Sequence, residues 1–105
     1  MKISNGRWMF GFWEGMPYGE LTDRYEDFLK LKNGIEKEKV ICHIEALDDW
    51  LSSEMSTDLF SGEAFHSGIY MDGVFTFPVD FLRYYKTKEI GIPYEYEAYL
   101  KKILK

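Results

Sequence analysis

Cysteine, long apolar runs and targeting signals are missing or nearly missing from this sequence. The single cysteine, Cys42, excludes an intrachain disulfide, and a reducing cytosol is the compartment that fits this best. No run of about 18 apolar residues could span a membrane, and the N-terminus lacks the basic start and apolar core of a signal peptide. We therefore expect a cytoplasmic protein in which residues 1–105 form one complete domain.

Motifs for metal, phosphate or catalytic chemistry are also missing. The sequence has no CxxC, HxxxH or EF-hand spacing and no Gly-rich phosphate loop. Its two histidines are His43 and His66, and a pair of His66 with Glu63 or Asp58 is the one arrangement that suggests acid–base catalysis. No nucleophile or oxyanion site accompanies that pair, so we expect no catalytic residues, no metal and no cofactor, although an acid–base enzyme that uses His66 stays open as an alternative.

Positive charge is missing from the middle of the chain. Between Lys39 and Arg83 there is no lysine or arginine, although the chain has 13 such residues and a net charge of −5. The same stretch carries eight carboxylates, namely Glu45, Asp48, Asp49, Glu54, Asp58, Glu63, Asp72 and Asp80. Gathered on one surface, they would repel nucleic acid and anionic lipid and attract a basic partner. The alternative is that they are ordinary solvated side chains.

Aromatic residues, 18% of the chain, are interspersed with these acids. Aromatic side chains dominate binding hot spots, although each can equally belong to the core. The pattern predicts a surface that binds a cationic protein, with the candidate residues Asp48, Asp49, Trp50, Glu54, Asp58, Phe60, Glu63, Phe65 and Asp72. Asp72 has a structural alternative, because an Asp-Gly pair favours a tight turn.

Local patterns predict an α+β fold with a small antiparallel sheet covered by three to four helices. The strongest signal is a hairpin over 68–77, with a type I′ turn at Asp72-Gly73. Helices are predicted to start at Pro78 and after Pro93. The other predictions are a strand over 7–13, a helix over 21–32, a strand over 40–45, a short helix over 46–55 and a loop over 56–67.

Several short segments in the C-terminal part of the chain match a known pattern. They are Asp58–Glu63, Gly68–Gly73, Phe75–Phe81, Tyr84-Tyr85 and Ile90–Glu97. In their order and spacing they resemble contact-dependent growth inhibition immunity proteins and related bacterial toxin-immunity families. The resemblance implies a cytoplasmic protein, encoded beside a toxin, that binds the toxin's C-terminal domain and blocks its active site. Many such toxins are ribonucleases, which are often basic because they grip phosphate backbones.

Other kinds of binding protein remain open at this point. A small adaptor or regulatory domain that binds some other cellular protein would have the same composition. The basic residues are interspersed with acids, which disfavours nucleic-acid binding. The sequence does not determine whether the protein forms a homo-oligomer.

Overall fold

The computed structural model describes residues 1–19, 21–47 and 49–104, which form a five-stranded sheet and four helices. The predicted α+β class is confirmed. The strands are β1 (Lys2–Ser4), β2 (Arg7–Met9), β3 (Asp49–Thr57), β4 (Ala64–Asp72) and β5 (Phe75–Pro78). The helices are α1 (Tyr25–Leu29), α2 (Lys37–Glu45), α3 (Val79–Thr87) and α4 (Tyr94–Ile103).

The sheet is mixed, whereas the sequence predicted an antiparallel one. Its strand order is β1-β2-β5-β4-β3, and β2 runs parallel to β5 while the other neighbours are antiparallel. The Trp8 amide donates to the Val74 carbonyl at 2.8 Å, and the Phe10 amide donates to the Thr76 carbonyl at 3.1 Å. Strand β5 therefore pairs with β2 of the N-terminal hairpin. Short-range sequence patterns cannot predict a pairing between strands so far apart in sequence.

The sheet contains three hairpins, β1–β2, β3–β4 and β4–β5, and only the last was predicted. The β4–β5 hairpin is confirmed, but Asp72 pairs with Phe75, so the turn residues are Gly73 and Val74. Of these two only Gly73, at φ +59°, has a positive φ, which is the pattern of a type II′ turn and not type I′. The unpredicted β1–β2 hairpin turns at Asn5 and Gly6, whose φ values of 52° and 77° fit the type I′ turn that an Asn-Gly pair favours.

The segment predicted as a strand over 40–45 lies in helix α2. Its buried residues are Val40, Ile41 and Ile44, while Cys42 is exposed. That spacing is one helix face, whereas a strand would have buried Val40, Cys42 and Ile44 together. The alternation of apolar residues was therefore misleading in this short segment.

The segment predicted as a short helix over 46–55 contributes most of strand β3. Antiparallel pairing with β4 places Trp50 opposite Ile69 and Ser56 opposite Phe65. A tertiary partner outweighs a weak local helical pattern. The loop predicted over 56–67 is accordingly shortened to residues 58–63.

Two N-terminal elements are shorter than predicted. The strand predicted over 7–13 ends at Met9. At Gly11 the φ angle is +83°, and a Cβ there would lie only 3.0 Å from the Phe81 Cβ, so this position favours glycine. The helix over 21–32 is reduced to α1, which buries only Phe28. Helices α3 and α4 begin directly after Pro78 and Pro93, as predicted.

One core cluster joins the sheet to all four helices. Phe10 lies at its centre, with ring centroids 4.9 Å from Phe77, 5.2 Å from Phe81 and 5.3 Å from Tyr96. Offset and edge-on ring contacts of this kind stabilise a core beyond the area they bury. Much of the aromatic content of the chain therefore serves packing.

Candidate partner-binding surface

The loop formed by residues 58–63 is closed by its own first residue. Asp58 follows β3, and its Oδ1 accepts hydrogen bonds from the amides of Phe60 at 2.8 Å and Ser61 at 2.9 Å. The Asp58 amide donates to the Glu63 carbonyl at 2.8 Å, and the Gly62 amide donates to the Asp58 carbonyl at 3.0 Å. Aspartate is suited to this role because its short carboxylate reaches the backbone amides two and three residues on.

Two residues of helix α3 form hydrogen bonds with the loop. Arg83 Nε donates to Asp58 Oδ2 at 2.7 Å, and the Leu59 amide donates to the Tyr84 hydroxyl at 3.0 Å. The hydrogen bond from Arg83, followed by those from the Ser61 and Phe60 amides, holds the pKa of Asp58 well below its usual range. Asp58 is only 8% exposed, so this acid stabilises the loop from within and does not belong to an exposed acidic surface as the sequence predicted.

Two apolar side chains project from this constrained loop. Leu59 is 50% exposed and Phe60 is 53% exposed. The Phe60 ring is supported from below by Tyr25, at 5.5 Å between centroids, and by Tyr84, at 5.9 Å. A half-exposed ring on a rigid aromatic base is a suitable anchor for a partner, because little conformational entropy remains to be lost on binding.

Cations of the chain itself lie against the predicted aromatic anchors. Lys88 Nζ lies 4.3 Å from the centroid of the Phe60 ring, and the Arg83 guanidinium lies 4.3 Å from that of Phe65. Arg83 is also 3.7 Å from Glu63, which is exposed and ends the loop. The surface around the loop is therefore mixed in charge rather than uniformly acidic.

Asp72 is placed inside the molecule. It is 5% exposed, and its carboxylate accepts hydrogen bonds from Tyr96 at 2.7 Å and Tyr99 at 3.1 Å and lies 2.8 Å from His43 Nε2. These partners belong to α2 and α4, so Asp72 connects two helices to the hairpin. This structural role differs from the turn position considered from the sequence.

Of the remaining predicted residues, the structure describes the side chains of Glu54 and Phe65 but not those of Asp48, Asp49 and Trp50. Glu54 is exposed in β3, whereas Phe65 is half-buried in β4. Asp48 lies outside the described residues. Asp49 and Trp50 belong to the β3 backbone, and their side chains lie outside the description. The structure thus brings Asp58, Phe60, Glu63 and Phe65 together at one end of the β3–β4 pair.

Burial corrects the expectation of a single acidic surface. Of the eight carboxylates of the central segment, Asp58, Asp72 and Asp80 are 8%, 5% and 1% exposed. A further one, Glu45, is 2.8 Å from Lys86 Nζ. Basic residues from α3 fold back onto the segment that lacks them, so its charge is partly compensated.

A cleft of about 660 Å³ lies behind the loop and includes His66, Phe65, Arg83 and Lys86 in its lining. His66 is exposed, and its side chain makes no hydrogen bond within the described part of the chain. Of the two carboxylates considered as its partner, Asp58 accepts a hydrogen bond from Arg83, and Glu63 lies 3.7 Å from the same side chain. The described residues include no group of three or more His, Cys, Asp or Glu that could hold a metal ion.

The residues that sequence reasoning missed are Leu59 and Tyr84. Leu59-Phe60 is an apolar pair between Asp58 and Ser61-Gly62, and such a pair in a polar turn is itself a signal of an exposed anchor. Nothing local in the sequence indicates that the Tyr84 hydroxyl would accept a hydrogen bond from the Leu59 amide.

Comparisons with family models, curated proteins and solved structures found no match for this chain. Among the described residues, no helix has the length and apolar character needed to cross a bilayer.

Proposed function

We propose that this protein is a non-enzymatic inhibitor that binds a cognate bacterial toxin domain and covers its active site, as an immunity protein does. The observation that carries the proposal is the 58–63 loop. It is tied by side-chain and backbone hydrogen bonds, yet it leaves Leu59 and Phe60 half-exposed. Inhibitors bind tightly when the contact loop is ordered before binding, because the ordering cost has already been met.

Charge and sequence add to this proposal. The toxins of the families that the sequence resembles are often basic ribonucleases, and a protein of net charge −5 is attracted to such a partner. Because the RNA substrates of such a toxin are in the cytoplasm, we place the inhibitor there as well. Since inhibition requires only binding, the function needs no catalytic residue or cofactor.

The direct test is co-purification with the C-terminal domain of the protein encoded immediately upstream, followed by an RNA-cleavage assay on total RNA. We expect a stable complex in which RNA cleavage is suppressed. If no complex forms and cleavage is unaffected, the proposal is wrong, and binding to another cellular protein becomes the better explanation.

The anchoring role of the loop is tested with the double variant Leu59→Ala/Phe60→Ala. We expect its Kd for the toxin domain to rise by about 30-fold or more, as for the loss of a hot spot. The matched control is Ile3→Ala/Val74→Ala, which removes two side chains of similar exposure, 62% and 48%, away from the loop. Thermal melts of both variants check that each is folded, and equal affinities of the two variants would exclude the loop as the anchor.

A further inference from the structure

A groove separate from the cleft lies directly beside the exposed side chains of Leu59 and Phe60. It has a volume of about 680 Å³ and runs between Leu59 and residues 13–15, 21 and 23–26. Its apolar walls include Trp13, which is 3% exposed, and Leu21, which is 61% exposed. Because Leu59 belongs both to the loop and to the groove, a partner that contacts the loop also reaches the groove.

The rim of this groove has an excess of negative charge. Glu14 lines it, is exposed, and makes no ion pair within the described residues. Asp23 is occupied internally, since it accepts hydrogen bonds from the amino terminus and the Gly11 amide. Among the described residues that line the groove, the one cation is Arg24. It is 3.8 Å from Glu26, and both side chains are strongly exposed, so this pair is weak.

This combination fits a long cationic side chain. The methylene stem of an arginine or lysine packs on apolar walls such as Leu21 and Leu59, while its head group stays at the rim near Glu14. The Tyr25 ring, which also lines the groove, can bind a cation over its face. Neutral apolar ligands would leave the Glu14 charge without a partner.

We propose that this groove receives a segment of the toxin domain that carries an arginine or lysine beside apolar residues. The inference rests on the proposed function and deepens it, because it identifies where the basic partner meets the acidic inhibitor. The meeting point is formed by residues 13–15, 21 and 23–26 together with Leu59, and of these only Leu59 belongs to the lysine- and arginine-free middle of the chain.

Two substitutions that change the charge of the groove in opposite directions test the proposal. Glu14→Gln should raise the Kd for the toxin domain by about threefold, and Arg24→Gln should lower it by a similar factor. Glu95→Gln is the matched control, since Glu95 is an exposed acid on α4 that does not line the groove. Affinities measured at low salt, with melting temperatures as the check on folding, give all three values.

The Trp13 indole provides an independent readout. Trp13 lines the groove, so its indole NMR signal should respond when a ligand occupies the groove. Its Nε1 is buried without a hydrogen-bond partner in the described structure. A blocked peptide of alternating arginine and leucine is titrated against the full chain. We expect the Trp13 indole signal to shift and the signal of Trp8, which lies in β2 outside the groove, to stay unchanged.

The outcomes separate the two proposals. If the toxin domain binds, but Glu14→Gln and Arg24→Gln have no opposite effects and Trp13 does not respond, the groove is excluded and the inhibitor function stands. If the toxin domain does not bind while the peptide shifts Trp13, the groove stands and the toxin partner is wrong. If neither ligand binds, both proposals are overturned.

Discussion

At the scale of the residue, three buried aspartates connect the parts of this molecule. Asp72 links the hairpin to α2 and α4, and Asp58 links the 58–63 loop to α3. Asp80 accepts hydrogen bonds from Ser56 and Ser67 and so links α3 to β3 and β4. Buried carboxylates are tolerated only when their oxygens are satisfied, so each of these connections depends on all of its donors.

Asp58→Asn should lower the melting temperature at neutral pH, because Arg83 loses its charged acceptor. The folded-state pKa of Asp58 lies below its ordinary value of 3.8, so its contribution to stability is present above about pH 4 and is lost as the pH falls through the folded value. The difference in melting temperature between the two proteins should therefore shrink from pH 5 towards pH 2. Thermal melts across this range measure it.

The control for this experiment is Glu63→Gln. Glu63 is 69% exposed and lies 3.7 Å from Arg83, so its ion pair is weak and its replacement should change stability little. A difference between wild type and Asp58→Asn that stayed constant with pH would show that the Asp58 charge does not stabilise the fold.

At the scale of the element, the predictable parts were those with a strong local signal. Proline at a helix start predicted α3 and α4, and a glycine turn predicted the β4–β5 hairpin. Helix α2 and strand β3 were exchanged because Val40–Glu45 alternates over too few residues, and the pairing of β3 with β4 is a tertiary effect. Of the site, Glu63 was predicted as a surface acid and Phe60 as either an anchor or a core residue. The inward direction of Asp58 was not predicted, because it depends on Arg83, which is distant in sequence.

Gly73 and Gly62 provide a matched test of the turns. Both have positive φ, but a Cβ at Gly73 would lie 2.8 Å from the Tyr99 hydroxyl, while nothing lies within 4 Å of one at Gly62. Gly62→Ala should cost about 1 kcal/mol from backbone strain alone. Gly73→Ala should cost about 3 kcal/mol, because it also displaces Tyr99 from Asp72.

Denaturant unfolding gives both free energies. Equal losses for Gly73→Ala and Gly62→Ala would mean that the contact with Tyr99 is relieved without cost. The experiment therefore separates the strain of the turn from the packing of α4 on the hairpin.

At the scale of the whole molecule, negative charge remains exposed where it was not expected. The middle of the chain buries three of its acids and receives Arg83 and Lys86. The sequence between Glu14 and Asp27, in contrast, has five acids and one cation, Arg24. The exposed acids Glu14, Glu26 and Asp27 therefore add an N-terminal contribution to the electrostatic field that a basic partner meets.

Salt should act mainly on the association rate of the proposed complex. Raising the ionic strength from about 0.05 M to about 0.5 M should slow binding to a basic toxin domain by about tenfold, because screening weakens long-range attraction. Dissociation should change less, since the contacts proposed for Leu59 and Phe60 are apolar and salt does not screen them. Stopped-flow or surface-based kinetics measure both rates, and an association rate independent of salt would contradict electrostatic steering.

The construction of the 58–63 loop divides its residues into a framework and a set of replaceable positions. Asp58 and Gly62 shape the loop, and Arg83 and Tyr84 of α3 hold it from behind. Leu59 and Phe60 place half of their surface in solvent. If the proposed function is correct, substituting these two positions would redirect recognition towards a different toxin while the hydrogen-bonded framework is left unchanged, so the molecule would acquire new specificity without a change of fold.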